Sequence, residues 1–242
     1  MGHGMSEQKT PSQNTVRAIC ALGLVKGLPP EVAAHVASLA RVDVLPDGAG
    51  VFTQGAVAQR AYAVLVGAVR IRQIGSDGAQ ALMRMIAPGE MFGTVALFTE
   101  GYYPADAETA MPSHIASWSK ADFMALTMNS PQIAINIIGM VGQRLANVQN
   151  RLREMATQSA EQRIAHALLM LVEQSGAVQA GVCEICIPLR RRDVAELAGT
   201  TLYTASRQLA AWEKVGLLAR SRQMLVVRDA NRLRRIAQGG LL

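Results

Sequence analysis

Between Arg191 and Leu209 the chain reads Arg-Arg-Asp-Val-Ala-Glu-Leu-Ala-Gly-Thr-Thr-Leu-Tyr-Thr-Ala-Ser-Arg-Gln-Leu. Thr201, Tyr203, Thr204, Ser206 and Arg207 supply hydroxyls and a guanidinium within two helical turns. Such groups suit base edges and phosphates. Arginine bonds guanine O6 and N7 in a bidentate way, and Ser or Thr reaches base or backbone. The surrounding residues say how they are positioned. Ala195 is small where two helices cross, and Gly199 takes the left-handed conformation that ends the first helix. Ala205 packs the second helix back on the first. Asp193 sits in the first turn of helix one, where the dipole favours a carboxylate. Val194, Leu197, Leu202 and Leu209 are the expected shared core, and Thr200 or Thr201 the expected cap of helix two. The pattern predicts a helix-turn-helix. Val215–Ala219 and Met224–Val227 follow as two strands joined by Arg220-Ser221-Arg222-Gln223, a basic-tipped wing. With Arg190, Arg191 and Arg192 before the motif, the gathered charge marks a phosphate-facing surface. The expected DNA-binding set is Arg191, Thr201, Tyr203, Thr204, Ser206, Arg207, Arg220 and Arg222.

The rest of the chain must carry and orient this unit. From about residue 40 to 120 the sequence is punctuated by Gly and rich in short β-type runs. Val69 and Ile71 alternate with Arg70 and Arg72, the period-two pattern of a half-buried strand. Ser76-Asp77-Gly78 supplies a hairpin turn, and Ala81–Ile86 the return strand. Pro30 to Ala40 predicts a short helix with Val32, Val36 and Leu39 on one face. From Pro131 to about Gln158, Ile138, Val141, Leu145, Val148, Leu152 and Met155 recur at steps of three and four. That narrow seam suits a helix partner and predicts a homodimer interface. Ser159 is the expected cap of the next helix, with Gln162 as its capping-box partner.

The 242 residues carry 24 Lys+Arg against 18 Asp+Glu, a net charge of +6. Residues 160–242 hold 12 of the basic and 7 of the acidic residues, so nearly all the excess lies in the last third. No apolar run approaches the ~20 residues of a membrane span. Glu7, Gln8, Lys9, Ser12 and Gln13 occupy the place of a signal peptide's apolar segment, so a cytoplasmic location is expected. Cys183-Glu184-Ile185-Cys186 has CxxC spacing but no second ligand pair for a zinc site. It reads as two thiols on a short strand. No Ser/His/Asp set, paired acidic motif or Walker sequence is present, so an enzyme is not expected.

Taken together, the chain resembles the Crp/Fnr family of bacterial transcription regulators. That resemblance implies an α+β architecture in three parts. An N-terminal β-roll sensor, a jelly roll of the cyclic-nucleotide-binding kind, spans 15–128. A dimerisation helix spans 129–158, and a C-terminal winged helix-turn-helix spans 159–242. Pro88-Gly89-Glu90-Met91-Phe92-Gly93 is similar to the family's phosphate-binding cassette, which places an effector pocket at Glu90, Met91, Phe92, Gly93 and Thr94. Nucleotide-binding members follow Phe-Gly with Glu, and carry an Arg-Ser or Arg-Thr pair about ten residues later. Here Thr94 follows Gly93, and Tyr102-Tyr103-Pro104-Ala105 stands at the second place. A buried phosphate without a cation is heavily penalised, so cAMP is not the expected effector. Cys20 alone near the N-terminus cannot hold an iron–sulfur cluster, which takes four thiolates.

The segment Leu197–Arg207 is similar to the nitric-oxide-responsive (NnrR-type) branch. That resemblance implies a TTG-type palindromic operator, a response to nitric oxide or nitrogen oxides, and control of denitrification genes. It also implies contact with RNA polymerase. If haem carries the response, His35 and His114 are the candidate axial ligands. A family member that responds to another small ligand, or acts without one, remains the alternative reading. Tyr203 stands where the branch usually has Glu; the exchange removes an acceptor for cytosine N4 and should relax the reading of one base pair.

Overall fold

A computed structural model of the chain describes residues 13–78, 80–179, 182–185, 187–221 and 224–240. The order is α1 (Gln13–Cys20), α2 (Pro30–Ser38), β1 (Arg41–Leu45), β2 (Gly50–Phe52), β3 (Arg60–Val66), β4 (Val69–Ile74), β5 (Gln80–Ile86), β6 (Met91–Phe92), β7 (Asp106–Thr109) and β8 (Ser113–Ser119). Then follow α3 (Lys120–Asn129), α4 (Pro131–Thr157), α5 (Ala160–Ser175), β9 (Gly176–Gln179), β10 (Val182–Ile185), α6 (Arg191–Leu197), α7 (Leu202–Lys214), β11 (Leu218–Ser221), β12 (Met224–Val227) and α8 (Ala230–Ala237).

Eight antiparallel strands form the two facing sheets of the roll, ordered β1-β8-β3-β6 and β2-β7-β4-β5. The chain passes from one sheet to the other between β3 and β4, at Gly67. Its φ of +91° suits glycine, and a Cβ there would lie 2.2 Å from Ser113 Oγ and 2.7 Å from the Pro112 carbonyl oxygen. The expected hairpin is present, with Val69 opposite Ile86 and Ile74 opposite Gln80. The expected short helix α2 closes one end of the roll, where Trp118 Nε1 donates to the Val36 carbonyl at 2.8 Å.

α4 runs for 27 residues. Ile133 and Ile137 are buried against the roll. The predicted seam points elsewhere: Ile138, Val141, Leu145, Val148, Leu152 and Met155 are all exposed. Ser159 and Gln162 form the expected reciprocal cap of α5: the Ser159 N–H donates to Gln162 Oε1 at 2.9 Å, and the Gln162 N–H to Ser159 Oγ at 3.3 Å. Ile164, Leu168, Leu171 and Val172 are buried in the core of the C-terminal unit.

Two expectations change. β4 is not open to solvent on its arginine face, because α6 covers it; Arg70 is 3 % exposed. Leu202 is 52 % exposed rather than part of the shared core. It opens α7, and the packed crossing begins a turn later at Ala205. Cys183 lies in β10, opposite Val178 and Val227. Cys186 lies outside the described residues.

Candidate nucleic-acid interface and effector cassette

The helix-turn-helix forms as its residues require. Ala195, Ala205 and Leu209 are buried at the α6–α7 crossing, and Gly199 turns the chain at φ +59°. Thr201 caps α7, its Oγ1 accepting from the Thr204 N–H at 3.1 Å. The cap fixes where α7 begins, and so which residues face outward. Thr201, Tyr203 and Arg207 are exposed, while Thr204 and Ser206 are half-buried. The Arg207 guanidinium lies 5.9 Å from the centre of the Tyr203 ring, one turn away on the same face.

The flanking arginines are arranged differently from the expectation. Arg220 lies inside β11 opposite Leu225, not at the wing tip. The strand starts later than expected because Gly216, at φ +73°, still belongs to the turn after α7. Arg220 Nε sits 3.2 Å from Glu213 Oε1, and Arg191 Nη2 sits 3.2 Å from Glu213 Oε2. Arg191 Nη1 also donates to the Ser206 carbonyl at 3.1 Å. One carboxylate thus gathers two of the cations expected to face phosphate. Arg222 lies outside the described residues.

α6 faces the sensor. Asp193 is fully buried, and its Oδ2 accepts from the Arg190 N–H at 2.9 Å, the first-turn role expected of it. Its other partners come from β4: Arg72 Nη2 at 2.9 Å from Oδ1, and Arg70 Nε at 3.8 Å from Oδ2. Burial pulls the Arg70 pKa down, opposed by the Asp193 charge. Glu196 completes the joint. Its Oε2 accepts from the Leu82 N–H of β5 at 2.8 Å and lies 3.6 Å from Arg72 Nη1. Arg151 of α4 donates to the Glu196 carbonyl at 2.8 Å. Leu82 and Met85 of the roll join the same buried cluster as Val194, Leu168 and Leu225. The partnerships between α6 and the roll were not visible in the sequence, since they join residues more than 100 positions apart.

The cassette lies at the other side of β5. Met91, Phe92 and Thr94 are buried, and Glu90 and Gly93 are half-buried. Aromatic rings pack behind the loop where the effector pocket is expected. Phe52 stacks on Tyr103 at 3.9 Å between centroids, and Tyr62 stacks on Phe92 at 5.3 Å. A Cβ on Gly93 would come within 3.1–3.3 Å of Tyr62, Phe52 and Tyr103. Tyr103, one of the four residues that stand around the place of the nucleotide-binding members' Arg pair, turns inward; its hydroxyl donates to the Arg60 carbonyl at 2.8 Å. Burial raises the Tyr62 pKa, with Tyr103 adding to the shift.

Two cations do reach the cassette, from elements outside the loop. Arg84 Nη2 of β5 pairs with Glu90 Oε1 at 2.7 Å, and the Ala87 N–H donates to Glu90 Oε2 at 2.9 Å. Arg144 of α4 donates to the Met91 carbonyl. No local pattern in the sequence marks Arg144; only the packing of α4 on the roll reveals its place. Burial, with Arg84 adding to it, lowers the Arg144 pKa to about 10.

The haem candidates do not converge here. His35 on α2 and His114 on β8 are both exposed, so neither fits axial ligation of a buried haem. Among the described residues, no three His, Cys, Asp or Glu side chains gather as a metal site, and no helix is long and apolar enough to cross a membrane.

Residues 42–130 match the cyclic nucleotide-binding domain, and residues 162–236 match the Crp-like helix-turn-helix domain. The chain is 30 % identical over 216 residues to the cyclic AMP receptor protein of Thermus thermophilus, covering 89 % of this chain and 97 % of that one. It is 28 % identical over 203 residues to the nitrogen fixation regulation protein FixK of Azorhizobium caulinodans, covering 83 % and 81 %. Among solved structures, FixK2 from Bradyrhizobium japonicum superposes with a TM-score of 0.71 at 23 % identity, covering 81 % of this chain and 96 % of that one. At that identity the likeness speaks for the fold alone.

Proposed function

The chain belongs to the Crp/Fnr family of DNA-binding transcription regulators, and from that premise we propose that it acts as a homodimer on a TTG-type palindrome in response to nitrogen oxides. The observation that carries this reading is the outer face of α7. Thr201, Tyr203 and Arg207 project from a capped helix whose opposite side is packed through Ala205 and Leu209. Ser206 and Arg207 are the pair for thymine and guanine. The exposed α4 seam is the surface for the second copy. It would set two α7 helices about one helical turn of DNA apart.

The remaining parts of the reading are control of denitrification genes, engagement of RNA polymerase and a cytoplasmic location. They rest on the likeness of Leu197–Arg207 to the nitric-oxide-responsive branch. The effector region is the cassette, Glu90 to Thr94. The aromatic packing behind Gly93, Thr94 in place of Glu and the absence of Arg from Tyr102 to Ala105 all favour an effector other than cAMP. Exposed His35 and His114 give the haem route no support. A regulator that needs no effector is the second reading, favoured by the same aromatic packing.

The test is binding to duplexes bearing TTG half-sites, with single-base replacements. Arg207→Ala should cost ~1–3 kcal/mol per half-site and flatten the preference at the guanine. Equal affinity of wild type for the palindrome and for scrambled DNA would sink the operator assignment.

A further inference from the structure

The charges at the cassette do not balance. Arg84 and the Ala87 N–H occupy the Glu90 carboxylate, and Arg144 reaches the next residue of the cassette, Met91. Among the described residues Arg144 has no carboxylate within ion-pair distance; its partner is a neutral carbonyl. A guanidinium withdrawn from water toward another guanidinium is an unfavourable arrangement unless something else completes it. The second copy cannot complete it through α4. The only acidic residue of that helix is Glu154, nearly three turns from Arg144, whereas residues 141–148 contain none. Pairing two α4 helices in register would bring further arginine, not carboxylate.

We propose that Arg84 and Arg144 form a binding site for a compact, planar monoanion at the junction of the cassette and α4. The proposal rests on the reading of the cassette as the effector region and names the chemical class of the effector. Two guanidiniums offer forked N–H donors that match the oxygens of a nitrogen oxyanion or a small carboxylate. One negative charge neutralises the excess left by two arginines and Glu90. Compactness follows from the rings of Phe52, Tyr62 and Tyr103, which pack against Gly93 and leave the inner side of the loop occupied. Arg144 belongs to α4 while Arg84 and Glu90 belong to the roll, so the anion would tie sensor to seam. That gives it the differential contact an effector needs to shift a conformational equilibrium.

The experiment uses the full-length protein at constant ionic strength, with chloride as the balancing anion. Nitrate, nitrite, acetate and phosphate are titrated separately by calorimetry, and the thermal midpoint is followed in parallel. Nitrate, nitrite or acetate should bind and raise the midpoint by about 2–4 °C at saturation. Which of them does so separates a nitrogen oxyanion from a carboxylate. Arg144→Gln should weaken binding at least tenfold and abolish the midpoint rise, and Arg144→Lys should restore part of both. The variant's own melting curve shows that it is folded. Absence of binding by any planar anion, or equal binding by wild type and Arg144→Gln, overturns the proposal, as does binding of phosphate alone. DNA affinity is measured separately. Anion binding without any change in DNA affinity leaves the site standing and removes its role as effector site.

Discussion

Two pairs of arginines stand where the roll meets other parts of the chain, and they are neutralised to different degrees. Arg70 and Arg72 end on Asp193 and Glu196 of α6, with the Leu82 N–H also satisfied by Glu196 and the exposed Arg192 joining Glu196 at 2.6 Å from the solvent side. Of Arg84 and Arg144, only Arg84 has a carboxylate within ion-pair distance among the described residues, Glu90. The first set is closed at its buried centre: Arg70 and Arg72 both face the Asp193 carboxylate, and apolar residues from both domains surround it. The second is open, with a cation facing a neutral carbonyl. A closed set of buried charges fixes a geometry, because removing any member strands the others. An open set leaves a coordination position for a ligand. On this reading the roll holds α6 by the first pair and senses through the second.

The severest way to break the comparison is Asp193→Ala. It strands Arg70, takes the nearer of two carboxylates from Arg72 and removes an acceptor from the first turn of α6. Loss of one partner from a buried charged set costs about 3–5 kcal/mol, read as a fall in the denaturation midpoint of the C-terminal unit. A loss below about 1 kcal/mol would mean that the α6 joint is not held by charge. Replacing all three charges with Leu and Met should recover most of the loss, since the Coulombic gain of a buried set barely exceeds its desolvation.

These two sets were unequally legible in the sequence. The elements themselves were readable: the Val69/Ile71 alternation, the α4 seam, the Ser159–Gln162 cap and Gly199 all stand where local rules put them. Local rules describe one chain segment and its own periodicity. They do not say what covers the second face of a strand. Arg70 and Arg72 therefore read as solvated, and Arg144 carried no local signal, until α6 and α4 were placed against the roll. Asp193 was assigned its dipole role correctly, but the two arginines 121 and more positions earlier had no sequence signal. Leu202 and Arg220 were misplaced by one turn and by one strand end, where a cap or a glycine shifts the boundary.

A third set sharpens the comparison at the DNA-binding surface. Glu213 holds both Arg191 and Arg220, and both arginine side chains are more than a third exposed. Water screens the excess there, so no ligand is needed, and each ion pair is worth little. Glu213→Gln should free both guanidiniums for phosphate. The expected result is a few-fold gain in affinity for any duplex, and a salt dependence steeper by about one for each new contact. The preference for TTG half-sites should not change, because phosphate contacts carry no sequence information. An unchanged salt slope would show that Arg191 and Arg220 do not face DNA.

The smallest expected effect is the most discriminating. Arg144→Gln removes a charge from an interface, and by analogy with Asp193 it would be expected to destabilise. The open set predicts otherwise. The substitution relieves the desolvation of a guanidinium and its repulsion with Arg84, the two causes that lower its pKa. A Gln amide can still donate to the Met91 carbonyl. The two contributions nearly cancel, so without added anion the stability should stay within about 0.5 kcal/mol of wild type or exceed it. Chemical denaturation in anion-poor buffer measures this directly. A loss above about 1 kcal/mol would place Arg144 with Arg72, as part of a finished joint. A neutral or positive change, beside a large loss at Asp193, would separate a joint that holds the domains from a site that waits for its charge.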